Sequence, residues 1–83
     1  MFPPEAGLVG SEVRVVLRLA HEALSEKGYR PVDQIVGYLI SGDPAYITSH
    51  KQARLLLTRL DRNDVLEEIV RSYLSALTEA EEH

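Results

Sequence analysis

Gln34-Ile35-Val36-Gly37-Tyr38-Leu39-Ile40-Ser41-Gly42-Asp43-Pro44-Ala45-Tyr46-Ile47-Thr48-Ser49-His50 is the stretch that decides how this chain folds. It holds a short apolar helix, a stop, a one-turn restart and the cap of a further helix. Pro31, just upstream, suits a first helical position, where the absent N–H has no intrahelical partner to lose. Val32, Ile35, Val36 and Leu39 then recur at helical spacing. Gly37 lies inside that helix despite a propensity cost of about 1 kcal/mol against alanine, which points to the close approach of another backbone. Gly42 supplies the left-handed residue that ends the helix. Asp43 and Pro44 restart a single turn, as cap and first residue. Ser49 and Gln52 have capping-box spacing for the helix that follows.

Upstream, residues 1–10 carry two prolines and two glycines without a helical period, and are expected to form a mobile tail. Ser11 is placed to cap a first long helix. Val13, Val16, Leu17, Ala20 and Leu24 mark its buried face, widened by Val15 and Leu19. Gly28 closes it just past Lys27. Downstream, Ala53, Leu56, Leu57 and Leu60 predict the buried face of a third long helix. Asp61 or Asn63 caps a last helix, with Leu66, Ile69, Val70, Tyr73 and Leu77 as its apolar stripe. Arg62, Asp64, Glu67, Glu68 and Arg71 fall on its outer surface, Glu67 and Arg71 in the favoured order four apart. There is no useful strand alternation, internal repeat or linker. The expected fold is all-α: a compact bundle of four main helices plus one short turn over residues 11–78, followed by a frayed acidic end at 79–83.

Eighty-three residues make one domain. A chain this short buries only about 60–65% of its unfolded surface, so its core is marginal on its own. With no cysteine there is no disulfide or thiolate metal site, and oligomerisation is the remaining common route to more buried surface. An apolar fraction of 45% agrees with a homodimer, because a lone small domain would struggle to hide it. The apolar runs are too short to span a membrane, and the start lacks the basic residue and apolar core of a secretion signal. A cytoplasmic location is the default expectation. The net charge of −4 argues against general nucleic-acid affinity. Its distribution is uneven: −2 over residues 1–46, +3 over 47–62 and −5 over 63–83.

Ser41, Asp43 and His50 are the residue types of a nucleophilic triad, but the turn and the helix start account for all three. No Gly-x-Ser-x-Gly elbow or phosphate-binding glycine loop accompanies them. His21 and His83 lack partners at metal spacing, and His21 borders the apolar stripe of its helix as a half-buried residue. Glu67 and Glu68 point about 100° apart on a solvated face, which does not suit a pair of working carboxylates. Tyr29, Tyr38 and Tyr46 suit a wet-edged subunit interface, or a pocket. No catalytic residue, cofactor or metal is assigned. Lys51 and Arg54 are three apart, with Thr58 and then Arg62 at one-turn steps, and Arg59 adds to the charge. Such a strip either pairs with the acidic last helix or docks an acidic protein surface or phosphorylated segment. A helix-turn-helix on DNA is a third reading, disfavoured by Asp33, Asp43 and the acidic carboxyl-terminal helix.

Glu26-Lys27-Gly28-Tyr29, Pro31 and the run Gln34 to Ile47 resemble the IreB/ReoM family of small bacterial regulators. So do His50, Ala53-Arg54, Asp61-Arg62 and Glu67-Glu68-Ile69-Val70-Arg71 with Tyr73-Leu74. The resemblance covers roughly residues 20 to 75. It implies a helical homodimer without catalytic activity, made a substrate of a membrane Ser/Thr kinase through a tail threonine. When unphosphorylated, such proteins promote Clp-dependent turnover of UDP-N-acetylglucosamine carboxyvinyltransferase, which begins peptidoglycan precursor synthesis. The implied partners are therefore a second copy, a Clp-type protease system, that enzyme and the kinase, with no nucleic acid and no membrane. Arg54 matches one of two arginines that matter on the helix near His50; the other position falls on Ser49. Ile35, Val36, Gly37, Tyr38, Leu39 and Tyr46 are expected in the dimer seam or core. Residues 1–10 contain no threonine or serine, and alignment backward from Gly28 puts the family's phosphothreonine just upstream of Met1. Ser11 is the nearest hydroxyl.

Overall fold

A computed structural model describes residues 4–81, with side chains from Gly10 to Glu79. Four α-helices carry the fold: α1 (Pro4–Glu26), α2 (Pro31–Ser41), α3 (Ala53–Thr58) and α4 (Arg62–Glu81), with 3-10 turns at Pro44–Tyr46 and His50–Gln52. No strand occurs among the described residues. The expectation of four helices and one short turn gains a second turn at 50–52.

The central connection follows its sequence closely. Pro31 opens α2, and Gly42 ends it at φ 77°, its N–H donating to the Tyr38 carbonyl at 2.7 Å. The Asp43 carboxylate caps the Pro44 turn by accepting from the Ala45 N–H at 2.9 Å. Gly28, at φ 83°, closes the end of α1, and the Tyr29 N–H reaches back to the Leu24 carbonyl at 2.9 Å. Gly37 does face a close neighbour, but it is the Tyr46 ring and not a backbone; a Cβ there would overlap the ring.

Two expectations, the Ser11 cap and the Ser49 cap, are corrected. Helix α1 opens at Pro4, so Ser11 lies inside it and residues 4–10 are helical; the rest of the expected tail, residues 1–3, lies outside the described residues. Proline at the first helical position has no N–H bond to lose, which lets the helix begin that early. Helix α4 runs to Glu81. Helix α3 is only six residues long and starts at Ala53, because Ser49 makes no cap hydrogen bond. Its neighbour Thr48 accepts from the His50 N–H instead, at 3.2 Å. Lys51 and Gln52 then stand in the left-handed region, at φ 55° and 62°. For residues other than glycine that conformation costs roughly 1–2 kcal/mol each.

The core forms where α1 meets α2, α3 and the connection. Ala20, Ala23 and Leu24 of α1 bury against Tyr38, Ile47, Ala53 and Leu57, with Val16, Leu17, Ile35, Leu39 and Leu60 packed around them. Of the predicted α1 face, Val13 is also fully buried, whereas Val15 is largely exposed. Helix α4 turns a different side to α1 from the one predicted. Val65 and Glu68 are the buried positions, while Leu66, Val70, Tyr73 and Leu77 face solvent. One residue along a helix is a rotation of about 100°, enough to carry a whole stripe off the core. Asp61, and not Asn63, caps α4, accepting from the Asn63 N–H at 2.8 Å and the Asp64 N–H at 3.2 Å.

Candidate functional site

Two surfaces are built with more care than a solvated face needs. The first is an apolar groove of about 480 Å³ between α1, α2 and α4, lined by Leu17, Pro31, Val32, Ile35, Val36, Leu39, Ile40, Leu66 and Ile69, with His21 at its rim. His21 is exposed there, not half-buried. The period of α2 puts Tyr38 into the core and leaves Val32, Val36 and Ile40 four apart on the groove side, where Val32 is 71% exposed and Ile40 79%. The groove runs on into the exposed stripe of α4, through Leu66, Val70 and Leu74. Of the residues expected in the seam or core, Tyr38 is buried, and Ile35 and Leu39 are half-buried at the groove floor. Val36 lines the groove, and Gly37 packs under the partly exposed Tyr46. Of the three tyrosines, Tyr38 is buried in the core, while Tyr29 and Tyr46 are exposed.

The second surface is the basic connection, and the structure takes the predicted strip apart. Lys51 turns away from Arg54 and sits between Glu22 (2.7 Å) and Glu26 (2.8 Å) on α1. His50 Nε2 lies 2.9 Å from Glu26 Oε1 in the same cluster. Arg54 donates from Nε to the Ile47 carbonyl at 2.8 Å, leaving part of its fork outward. Arg62 reaches back to the end of α2, Nη1 to the Leu39 carbonyl at 3.1 Å, where a cation meets the negative end of the helix. Its guanidinium fills the space where a Cβ on Gly42 would stand. Arg59 is exposed at the end of α3 and makes no ion pair among the described residues. The acids that hold Lys51 thus belong to α1 and not to the acidic last helix. The left-handed pair at 51–52 interrupts the helical period that would put Lys51 beside Arg54.

The clasp shifts two protonation equilibria. Hydrogen bonds from Lys51 and then His50 push the Glu26 carboxyl from 4.5 down to about 2. Hydrogen bonds to Glu22 and then Glu26 raise the Lys51 ammonium from 10.5 to about 12. Both side chains are more than a third exposed, so solvent screens the contact and its contribution to stability is modest. A lowered carboxyl stabilises the fold above pH 4.5, and that part is lost as pH falls from 4.5 toward 2. A raised ammonium stabilises below pH 10.5, and that part is lost as pH rises toward 12. Glu26→Gln is therefore expected to lower Tm at neutral pH, the gap from wild type closing between pH 4.5 and 2 in a thermal-melt series.

Ser41, Asp43 and His50 are each engaged elsewhere. The Ser41 hydroxyl donates to the Gly37 carbonyl at 2.7 Å and accepts from the Asp43 N–H at 3.0 Å. Asp43 caps its turn, and His50 faces Glu26. Glu68, expected on the outer face of α4, is instead only 8% exposed. Its carboxylate accepts from Arg14 Nε at 3.1 Å and from Arg71 Nη1 at 3.4 Å, filling the space that Gly10 leaves by lacking a Cβ. Glu67 stays outside, 3.9 Å from Arg71 as its spacing predicts.

The surface thus combines an apolar groove with three cations, Lys51, Arg54 and Arg62, held by acids or backbone carbonyls of the same chain. Residues 6–75 match the model of the IreB regulatory phosphoprotein, and the chain belongs to that family. Its role is accordingly that of a regulatory protein acting with protein partners. Among the described residues no helix is long and apolar enough to cross a membrane.

Proposed function

We propose that this protein is a non-enzymatic homodimeric adaptor of the cytoplasm that controls peptidoglycan precursor supply. In this reading it promotes Clp-dependent turnover of UDP-N-acetylglucosamine carboxyvinyltransferase, under the control of a Ser/Thr kinase. The observation that carries it is the family match over residues 6–75. The groove supports the dimer. A compact monomer of 9.3 kDa exposes about 5,000 Å². This chain exposes 6056 Å², and its radius of gyration of 13.8 Å compares with about 12 Å for a compact domain of its length. An excess of about 1,000 Å² per copy is the scale of surface a stable pairing removes from water.

Arg54 and the exposed Arg59 present the charge that meets the enzyme or the protease system, while Lys51 and Arg62 position the backbone around them. Ser11 lies inside α1, a conformation that a kinase must open before it can reach the hydroxyl along an extended backbone. The basic strip that nucleic-acid binding would use is discontinuous, and no observation favours that reading. Arg54→Glu is expected to prolong the half-life of the carboxyvinyltransferase in cells severalfold, read in a pulse-chase. An unchanged half-life would remove Arg54 from the partner face.

A further inference from the structure

Sequence and backbone disagree at Ser49–Gln52. Ser-x-x-Gln is the spacing that caps a helix, yet Ser49 makes no cap bond, and Lys51 and Gln52 both lie at positive φ. Neither is glycine or asparagine, the residues that take this conformation readily. What holds the turn open lies mostly outside it. Lys51 is pulled onto Glu22 and Glu26 of α1, and His50 faces Glu26. Inside the turn, the Arg54 N–H reaches the Thr48 carbonyl at 3.1 Å, and Arg54 Nε the Ile47 carbonyl. The outer ties are ion pairs between partly exposed side chains, the kind that a competing anion opens. With Lys51 and Gln52 right-handed, α3 would run back to Ser49 as its cap. Lys51, Arg54 and Thr58 would then share one face.

We infer that the Ser49–Gln52 connection is a two-state element, clasped on α1 or wound into α3, and that an acidic peptide segment selects the wound state, in which Lys51 joins Arg54 on one cationic strip. The inference rests on the docking role of Arg54 proposed above and adds its regulation: α1 withholds Lys51 until an anion outcompetes Glu22 and Glu26. Such an anion interacts differently with the two states, which is the condition for shifting them.

The test uses the full chain, a short poly-L-glutamate peptide as probe, and Cα chemical shifts of Lys51 and Gln52. Glu22→Gln combined with Glu26→Gln removes the clasp; both residues are expected to move to helical shifts, and peptide affinity to rise severalfold. Gln52→Gly changes no charge, tolerates the left-handed turn and disfavours the helix, so peptide affinity is expected to fall severalfold. Left-handed shifts that persist in the unclasped variant with peptide bound would overturn the two-state element. Wild-type affinity in Gln52→Gly would overturn its coupling to the anion. Peptide binding by no variant would overturn the anion arm and the docking reading together, while the shifts of the unclasped variant still decide the element.

Discussion

Leu57→Ala is expected to remove about 2–5 kcal/mol of folding stability, against about 4–12 kcal/mol in total for a domain of this length. Leu57 is fully buried, and its neighbours in the core include Ala20, Ala23 and Ala53, which have no side chain to swing into a void. The cavity left by truncation therefore persists, and its walls lose their contacts. Calorimetry should record a fall in Tm of about 10 °C or more. Leu55→Ala, two positions earlier on the exposed side of α3, is the comparison and should shift Tm little. If stability is coupled to pairing, Tm depends on concentration, so the variants are compared at one protein concentration. Equal Tm values for the two would contradict the placement of Leu57 at the centre of the core.

The second large effect falls on assembly. Val36→Glu or Ile40→Glu puts a carboxylate into the apolar groove at a position already open to solvent, so the folded subunit should tolerate it. A second copy would bury that charge without a partner. Each 1.4 kcal/mol of the resulting penalty weakens the dimer tenfold, and a loss of about a hundredfold or more is expected. Sedimentation equilibrium should show a dimer for the wild-type chain and a monomer for either variant, with helical circular dichroism preserved. A dimer that survives both substitutions would place the seam elsewhere; a wild-type monomer at micromolar concentration would end the homodimer reading.

Where backbone conformation depends on single residues, the sequence was legible. Gly28, Pro31, Gly42, Asp43 and Pro44 each make a local demand that needs no tertiary information, and each stands where it was read. Legibility ended where packing chooses between two adequate local answers. Helix α4 carries two candidate buried sides, and only the position of α1 decides that Val65 and Glu68 face inward. No property of Glu68 in isolation announces a buried carboxylate; the signal lies in Arg14, 54 positions away, and in Arg71 one turn on. Ser49 and Gln52 show the same limit in the other direction. Their local preference is helical, but contacts with Glu22 and Glu26 across the fold hold the intervening turn left-handed. A continuous basic strip requires an unbroken helix, and the turn at 51–52 takes Lys51 out of it. The groove is legible only in part: Val32, Ile35, Val36 and Leu39 share a helical spacing in the sequence, with the last three expected in the dimer seam or core, whereas Ile40 emerges only from the exposure of α2.

Helix α1 is the hub on which α2, α3 and α4 all settle, and it is synthesised before each of them. Its Ala20-Ala23-Leu24 side is not fully covered until Leu57 has been synthesised, and Arg14 waits longer still for Glu68. During synthesis α1 therefore carries an apolar side ahead of the segments that cover it, and that amphipathic helix is the part most in need of shelter until they are made.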